Sequence, residues 1–98
     1  MSRQVTEKTI RKFLNNENFK LSSTEVKTDM EITRLYLFGN CIARKNNLTN
    51  KIEITLAGYN TVTTRERLNG LPNVNICSKN FTPYLNGKEI DSDSWYTV

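Results

Sequence analysis

The sequence predicts an α+β domain: an N-terminal helix packed on a small, mostly antiparallel sheet of five to six strands, with a second short helix near 64–69. Three observations carry this. Apolar residues near the start recur at helical spacing. From Ser23 onward the pattern becomes short runs of β-branched and aromatic residues separated by Gly/Asn pairs. Residues 58–72 between two of those runs read as a short helix with its own start and stop signals. At 98 residues the chain can bury one core, so 1–98 is expected as a single domain, with 1–22 as helix and linker and 23–98 as a sheet-rich body. Only 37% of residues are hydrophobic, which predicts a thin, one-sided core.

The first helix rests on Val5, Ile10, Phe13 and Leu14, with Lys8, Arg11 and Lys12 mostly off that stripe. Thr6 is its expected N-cap, Glu7 suits the first turn, and Val5 and Ile10 have the spacing of a hydrophobic staple. The run Asn15-Asn16-Glu17-Asn18 should fray and end it.

Strands follow. Residues 24–27 are expected as a short edge strand with a turn near Asp29, and 31–38 as the first strong strand. Gly39-Asn40 then reads as a type II′ hairpin turn with Gly39 at positive φ, leading into Cys41-Ile42-Ala43-Arg44. After a polar loop at 46–50, residues 51–57 alternate: Ile52, Ile54 and Leu56 face one way, Glu53 and Thr55 the other.

The segment Gly58-Tyr59-Asn60-Thr61-Val62-Thr63-Thr64-Arg65-Glu66-Arg67-Leu68-Asn69-Gly70-Leu71-Pro72 is the densest in chemistry. Thr63 and Glu66 have capping-box spacing, so the helix should begin at Thr64. Gly70 is placed for a left-handed C′ residue, and Pro72 blocks continuation. So short a helix must lean on the sheet through Leu68 or Leu71. Residues 74–78 and 82–85 are two further strands, Asn86-Gly87 is a strong turn, and Trp95-Tyr96-Thr97-Val98 is the last strand.

Composition removes several functions. The chain has no histidine, so Ser-His-Asp and Cys-His catalysis and imidazole metal sites are absent. Cys41 and Cys77 are too few for a structural zinc site, and each reads as a buried reduced thiol within strand-like sequence. Neither a Walker A motif nor GxGxxG occurs. Asp91 and Asp93 sit in a serine-rich turn that reads as solvated surface; an enzyme would need them, or Glu66, gathered around a metal. The expectation is therefore no enzyme activity, no cofactor and no metal. No signal peptide and no bilayer-length apolar run is seen, which predicts a protein of the cytoplasm, without membrane partners.

Charge is uneven. Residues 32–88 carry eight basic side chains against Glu53 and Glu66, while Glu89, Asp91 and Asp93 close the chain without a base. A basic body favours anionic partners; the bland alternative is that net +4 keeps a small domain soluble.

With Thr63, Glu66, Gly70 and Pro72 assigned to cap and stop, Tyr59, Thr61, Arg65 and Arg67 have no evident local role, and Thr64 joins them. These five residues are the candidate partner- or anion-binding site. Hydroxyls and a helix start can hold a phosphate, and arginine adds bidentate contacts. Tyr36, Phe38 or Tyr59 could offer a stacking face, although Tyr36 and Phe38 read first as core. Trp95 and Tyr96 suit either an interface or closure of the core.

The run Thr33-Arg34-Leu35-Tyr36-Leu37-Phe38-Gly39-Asn40-Cys41-Ile42-Ala43, then 61–69, then Tyr84-Leu85-Asn86-Gly87, resembles a set of short bacteriophage-encoded proteins. The resemblance covers roughly 30–98 and carries no activity to transfer. It implies a phage protein expressed in the bacterial host cytoplasm. Small phage proteins without catalytic groups often act by binding host machinery, including CRISPR-type defence complexes and RNA polymerase. The first expectation is thus a non-enzymatic accessory protein that modulates a host protein or nucleoprotein complex, as monomer or homodimer. The alternative is a small nucleic-acid-binding domain using a basic face around Arg65 and Arg67.

Overall fold

The computed structural model describes residues 2–21 and 23–98, with side chains described from Thr6 onward. Helix α1 spans Ser2–Leu14. Thr6, Thr9, Ile10 and Phe13, at spacings of three and four, form its buried face. Thr6 is thus inside the helix, not its N-cap as expected from sequence. The proposed staple at Val5 concerns a side chain outside the described residues. The Asn-rich end does not fray. Asn16 takes a left-handed φ of 58°, Glu17 N–H donates to Lys12 C=O at 2.9 Å and Asn16 N–H to Phe13 C=O at 3.4 Å, the two bonds of a Schellman motif. The ammonium of Lys45, itself buried, donates to Leu14 C=O at 2.7 Å and places a cation at the negative end of the helix. Burial holds the Lys45 pKa below the usual lysine value.

Six strands form one antiparallel sheet in the order β1-β2-β3-β4-β5-β9: β1 Phe19–Leu21, β2 Thr24–Thr28, β3 Ile32–Leu37, β4 Asn40–Asn46, β5 Ile52–Ile54 and β9 Tyr96–Thr97. β2 is therefore internal; the edge belongs to β1, whose three residues give no readable alternation. Asp29 shapes the β2–β3 turn by accepting the N–H groups of Glu31 and Ile32, both at 2.8 Å. Those bonds, Ile32 foremost, hold its carboxyl below the ordinary carboxylate value. A second antiparallel sheet, β6-β7-β8, comprises Ile76–Lys79, Thr82–Leu85 and Lys88–Glu89.

Between the sheets lies α2, Val62–Asn69. It starts two residues before the expected point, because its N-cap is Thr61 and not Thr63: Thr61 Oγ1 accepts Thr64 N–H at 3.2 Å. Gly70 is also not left-handed; its φ is −73°. Glycine is needed there for space, since a Cβ would lie 2.7 Å from Thr6 Cγ2 and 2.8 Å from Ile10 Cγ1. The end of α2 presses directly on α1. Asn69 then ties α2 to β6 through both polar atoms of its side chain, accepting Ile76 N–H at 2.6 Å and donating to Ile76 C=O at 3.0 Å.

One apolar cluster joins these parts: Ile10 and Phe13 of α1, Val26, Leu35, Ile42 and Ile54 of the large sheet, Leu68 and Leu71 at α2, and Ile76 and Leu85 of the small sheet. The large sheet gives the core one face only. Along β3, Thr33, Leu35 and Leu37 are buried while Ile32, Arg34 and Tyr36 are half-exposed on the other side. The cysteines are free thiols; Cys41 is half-buried, with burial raising its pKa, and Cys77 is exposed, so neither is the fully buried thiol expected. No described helix is long and apolar enough to cross a membrane.

Candidate functional site

Among the described residues, three two-residue hairpin turns provide an internal comparison. They join Leu37 to Asn40, Lys79 to Thr82, and Leu85 to Lys88. All six turn residues have positive φ: Phe38 and Gly39 at 51° and 80°, Asn80 and Phe81 at 50° and 65°, Asn86 and Gly87 at 51° and 87°. That is the type I′ pattern, for which Asn-Gly is the favoured pair. The third turn has it. The other two each replace one member with phenylalanine, a bulky residue for which positive φ is strained. The first also shifts the expected reversal by one residue, from Gly39-Asn40 to Phe38-Gly39, and from type II′ to type I′. Neither ring is buried: Phe38 is 69% and Phe81 97% exposed. Phe38 is thus not the core residue expected from its strand-like context.

Both turns approach residues 59–61. Ala57 and Gly58 take φ of 53° and 81° and reverse the chain after Leu56, and Gly58 N–H is held by Ser92 C=O at 2.8 Å. Tyr59 follows, 55% exposed. Asn60 is the hub. Its amide donates to Ser78 Oγ at 3.2 Å and to Phe81 C=O at 3.3 Å. Its side-chain and backbone oxygens accept from the Arg65 guanidinium at 2.5 and 3.1 Å. The Phe81 turn, the Tyr59 segment and the first turn of α2 are thereby held together. A cleft of 330 Å³ opens beside them, floored by buried Leu37, Ile42 and Leu56 and bordered by Phe38, Asn40, Tyr59 and Thr61. Val62, which follows Thr61, is 71% exposed.

The five residues picked from sequence separate here. Tyr59, Thr61 and Thr64 line the cleft, and Arg65 is fixed behind it by Asn60. The Thr61 and Thr64 hydroxyls lie 3.0 Å apart and close the helix cap. Arg67 points elsewhere. It is buried, donating to Thr6 Oγ1 at 2.7 Å, Glu66 Oε1 at 2.9 Å and Thr24 Oγ1 at 3.3 Å. It therefore joins α2 to α1 and β2. Glu66, expected as a capping-box partner, belongs to this network and also accepts the Thr6 hydroxyl at 3.1 Å. Residues that the sequence reading missed are Asn60, Phe38 as an exposed ring, and Phe81. The readable signal was a phenylalanine in each of two turn pairs, beside the Asn-Gly of the third.

Two charged groups lie close to the Tyr59 segment: Arg65, bonded to Asn60, and Asp93, whose Oδ1 would lie 3.0 Å from a Cβ added at Gly58. Among the described residues no three Cys, Asp or Glu side chains gather as metal ligands would. Tyr36 is half-exposed on the outer sheet face, not in the core, with the Lys27 ammonium 5.6 Å from its ring centre. At the last strand the two aromatics diverge: Trp95 stacks with Arg44, 4.0 Å from ring centre to guanidinium carbon, and Tyr96 packs on the core while its hydroxyl accepts Asp91 N–H at 2.8 Å.

Among known proteins, a family model described as Kyanoviridae Gp96 protein matches residues 2–97. No curated protein and no solved structure matches.

Proposed function

We propose, for a chain that belongs to the Kyanoviridae Gp96 family of phage proteins, that it is an accessory protein without catalysis of its own which acts by binding a host protein. The observation that carries this is the pair of exposed, positive-φ phenylalanines: Phe38 at the cleft with Tyr59, and Phe81 in the turn bonded to Asn60. A backbone that accepts strain to hold apolar rings in water gains nothing in folding from that arrangement. The arrangement suits binding: exposed apolar rings at a cleft with an apolar floor are the centre of a protein interface. Tyr59 and the two phenylalanines are the anchors, and Arg65 holds the Asn60 hub that joins their segments. Burial of Arg67 removes half of the basic pair that would have held a polyanion here.

The test is recovery of partners from infected host cells on the immobilised protein, with RNase and DNase present throughout. The wild-type chain is expected to retain a discrete host protein, with CRISPR-type defence complexes and RNA polymerase scored first. Tyr59→Ala combined with Phe38→Asn should lose at least tenfold of it, as expected when interface anchors worth about 2 kcal/mol are removed. Equal recovery by both proteins would remove the site from consideration.

A further inference from the structure

The face of the large sheet turned away from the helices carries a second surface of different chemistry. Registers between β3, β4 and β5 set Arg34 beside Arg44 and Arg44 beside Glu53 on this face. A cleft of 560 Å³ opens there, lined by Arg34, Arg44, Lys51, Glu53 and Thr97. Lys45 also borders it, but its ammonium is bonded to the end of α1. The cleft lining itself thus holds three reachable cations and one carboxylate, while Asp29 pairs with Arg34 from the β2–β3 turn.

Two rings lie on the same side. Trp95 is stacked with Arg44, and Tyr36 has Lys27 above it. The carboxylate partners of these cations are exposed or half-exposed: Asp29 is 3.8 Å from Arg34, Glu53 is 2.9 Å from Arg44 and Glu25 is 4.0 Å from Lys27. Such surface pairs contribute little to stability and exchange readily for another anion. Lys51 has no ion-pair partner among the described residues.

We infer that this face binds single-stranded nucleic acid, with phosphates in the cleft on Arg34, Arg44 and Lys51 and bases against Trp95 and Tyr36. The excess of cations over carboxylates in the cleft lining favours an anion. The rings select one with free π-faces, which a duplex hides in its stack. The surface shares no residue with the aromatic site at Tyr59, so the two readings succeed or fail separately.

Trp95 is the chain's single tryptophan and reports on this face directly. The experiment is a fluorescence titration with an oligothymidylate of about 16 nucleotides at about 50 mM salt, repeated up to about 200 mM. Saturable quenching of Trp95 is expected, with log K falling against log salt at a slope near −2, about −0.7 for each of three phosphate contacts. Arg34→Ala and Lys51→Ala should each weaken binding severalfold and each reduce the slope by about 0.7. Both sites are solvent-facing, and their urea midpoints serve as the check on folding. Tyr59→Ala should bind the oligonucleotide as the wild type does. A flat titration at the lowest salt overturns the inference. So does quenching that Arg34→Ala and Lys51→Ala leave unchanged, equal affinity for duplex DNA, or equal affinity for inorganic polyphosphate of matched charge.

Discussion

Arg67 and Phe38 exchanged roles between sequence and structure, and each exchange has a local cause. In the sequence Arg67 is one of two arginines without an assigned task. In the fold it is the buried link between α2, α1 and β2, satisfied by Thr6, Thr24 and Glu66. No local pattern reveals this, because Thr6 lies 61 residues away. Replacing Arg67 with methionine should cost about 2–4 kcal/mol, by removing the guanidinium from the buried Thr6 and Thr24 hydroxyls and from Glu66. Chemical denaturation measures it, and a change under about 0.5 kcal/mol would show that the network contributes only packing. Phe38 reads as the end of a hydrophobic strand, yet the hairpin needs a positive φ there and turns the ring outward. Phe38→Asn and Phe81→Gly place favoured residues at these positions. Each is expected to raise stability by about 1 kcal/mol while weakening partner recovery. A loss of stability in both would mean that the rings support the fold, and the functional reading of their strain would fall.

At the level of elements, the alternating strands and the existence of both helices were legible, while their ends were not. Lys12, Phe13, Asn16 and Glu17 form a Schellman end that needs only local sequence, yet the asparagine run disguised it as fraying. Thr61 and Thr63 both offer a hydroxyl to α2, and local spacing with Glu66 favoured the wrong one. Glu66 was drawn away by Thr6 and Arg67, which removed the reason for a cap at Thr63. Gly70 was recognised as necessary for the wrong reason. Its backbone is ordinary, so Gly70→Ala carries no φ penalty, and in an isolated helix it would be favourable. Here the added methyl meets Thr6 and Ile10, and we expect a loss of about 1–3 kcal/mol by forced separation of α1 and α2. A thermal midpoint equal to or above wild type would refute the close helix contact.

For the whole molecule, the shared core makes a prediction about cooperativity. Leu85 and Ile76 of the small sheet and Ile54 of the large sheet belong to one cluster, with Leu68 of α2. Leu85→Ala should cost about 2–4 kcal/mol and shift the unfolding of the entire chain, read equally by far-ultraviolet circular dichroism and by Trp95 on the large-sheet side. A Trp95 transition that stays in place while the dichroism moves would show two separately stable units. The same division of labour applies to function. Composition, the alternating strands and the Asn-Gly turn determined an α+β chain with a one-sided core, because period and turn chemistry act between near neighbours in sequence. Tertiary structure alone decided which arginine is buried, which glycine is a contact, and which aromatic rings face water. Those outcomes depend on residues tens of positions apart meeting in space: Thr6 with Arg67, Gly70 with Ile10, and Asn60 with the Phe81 turn.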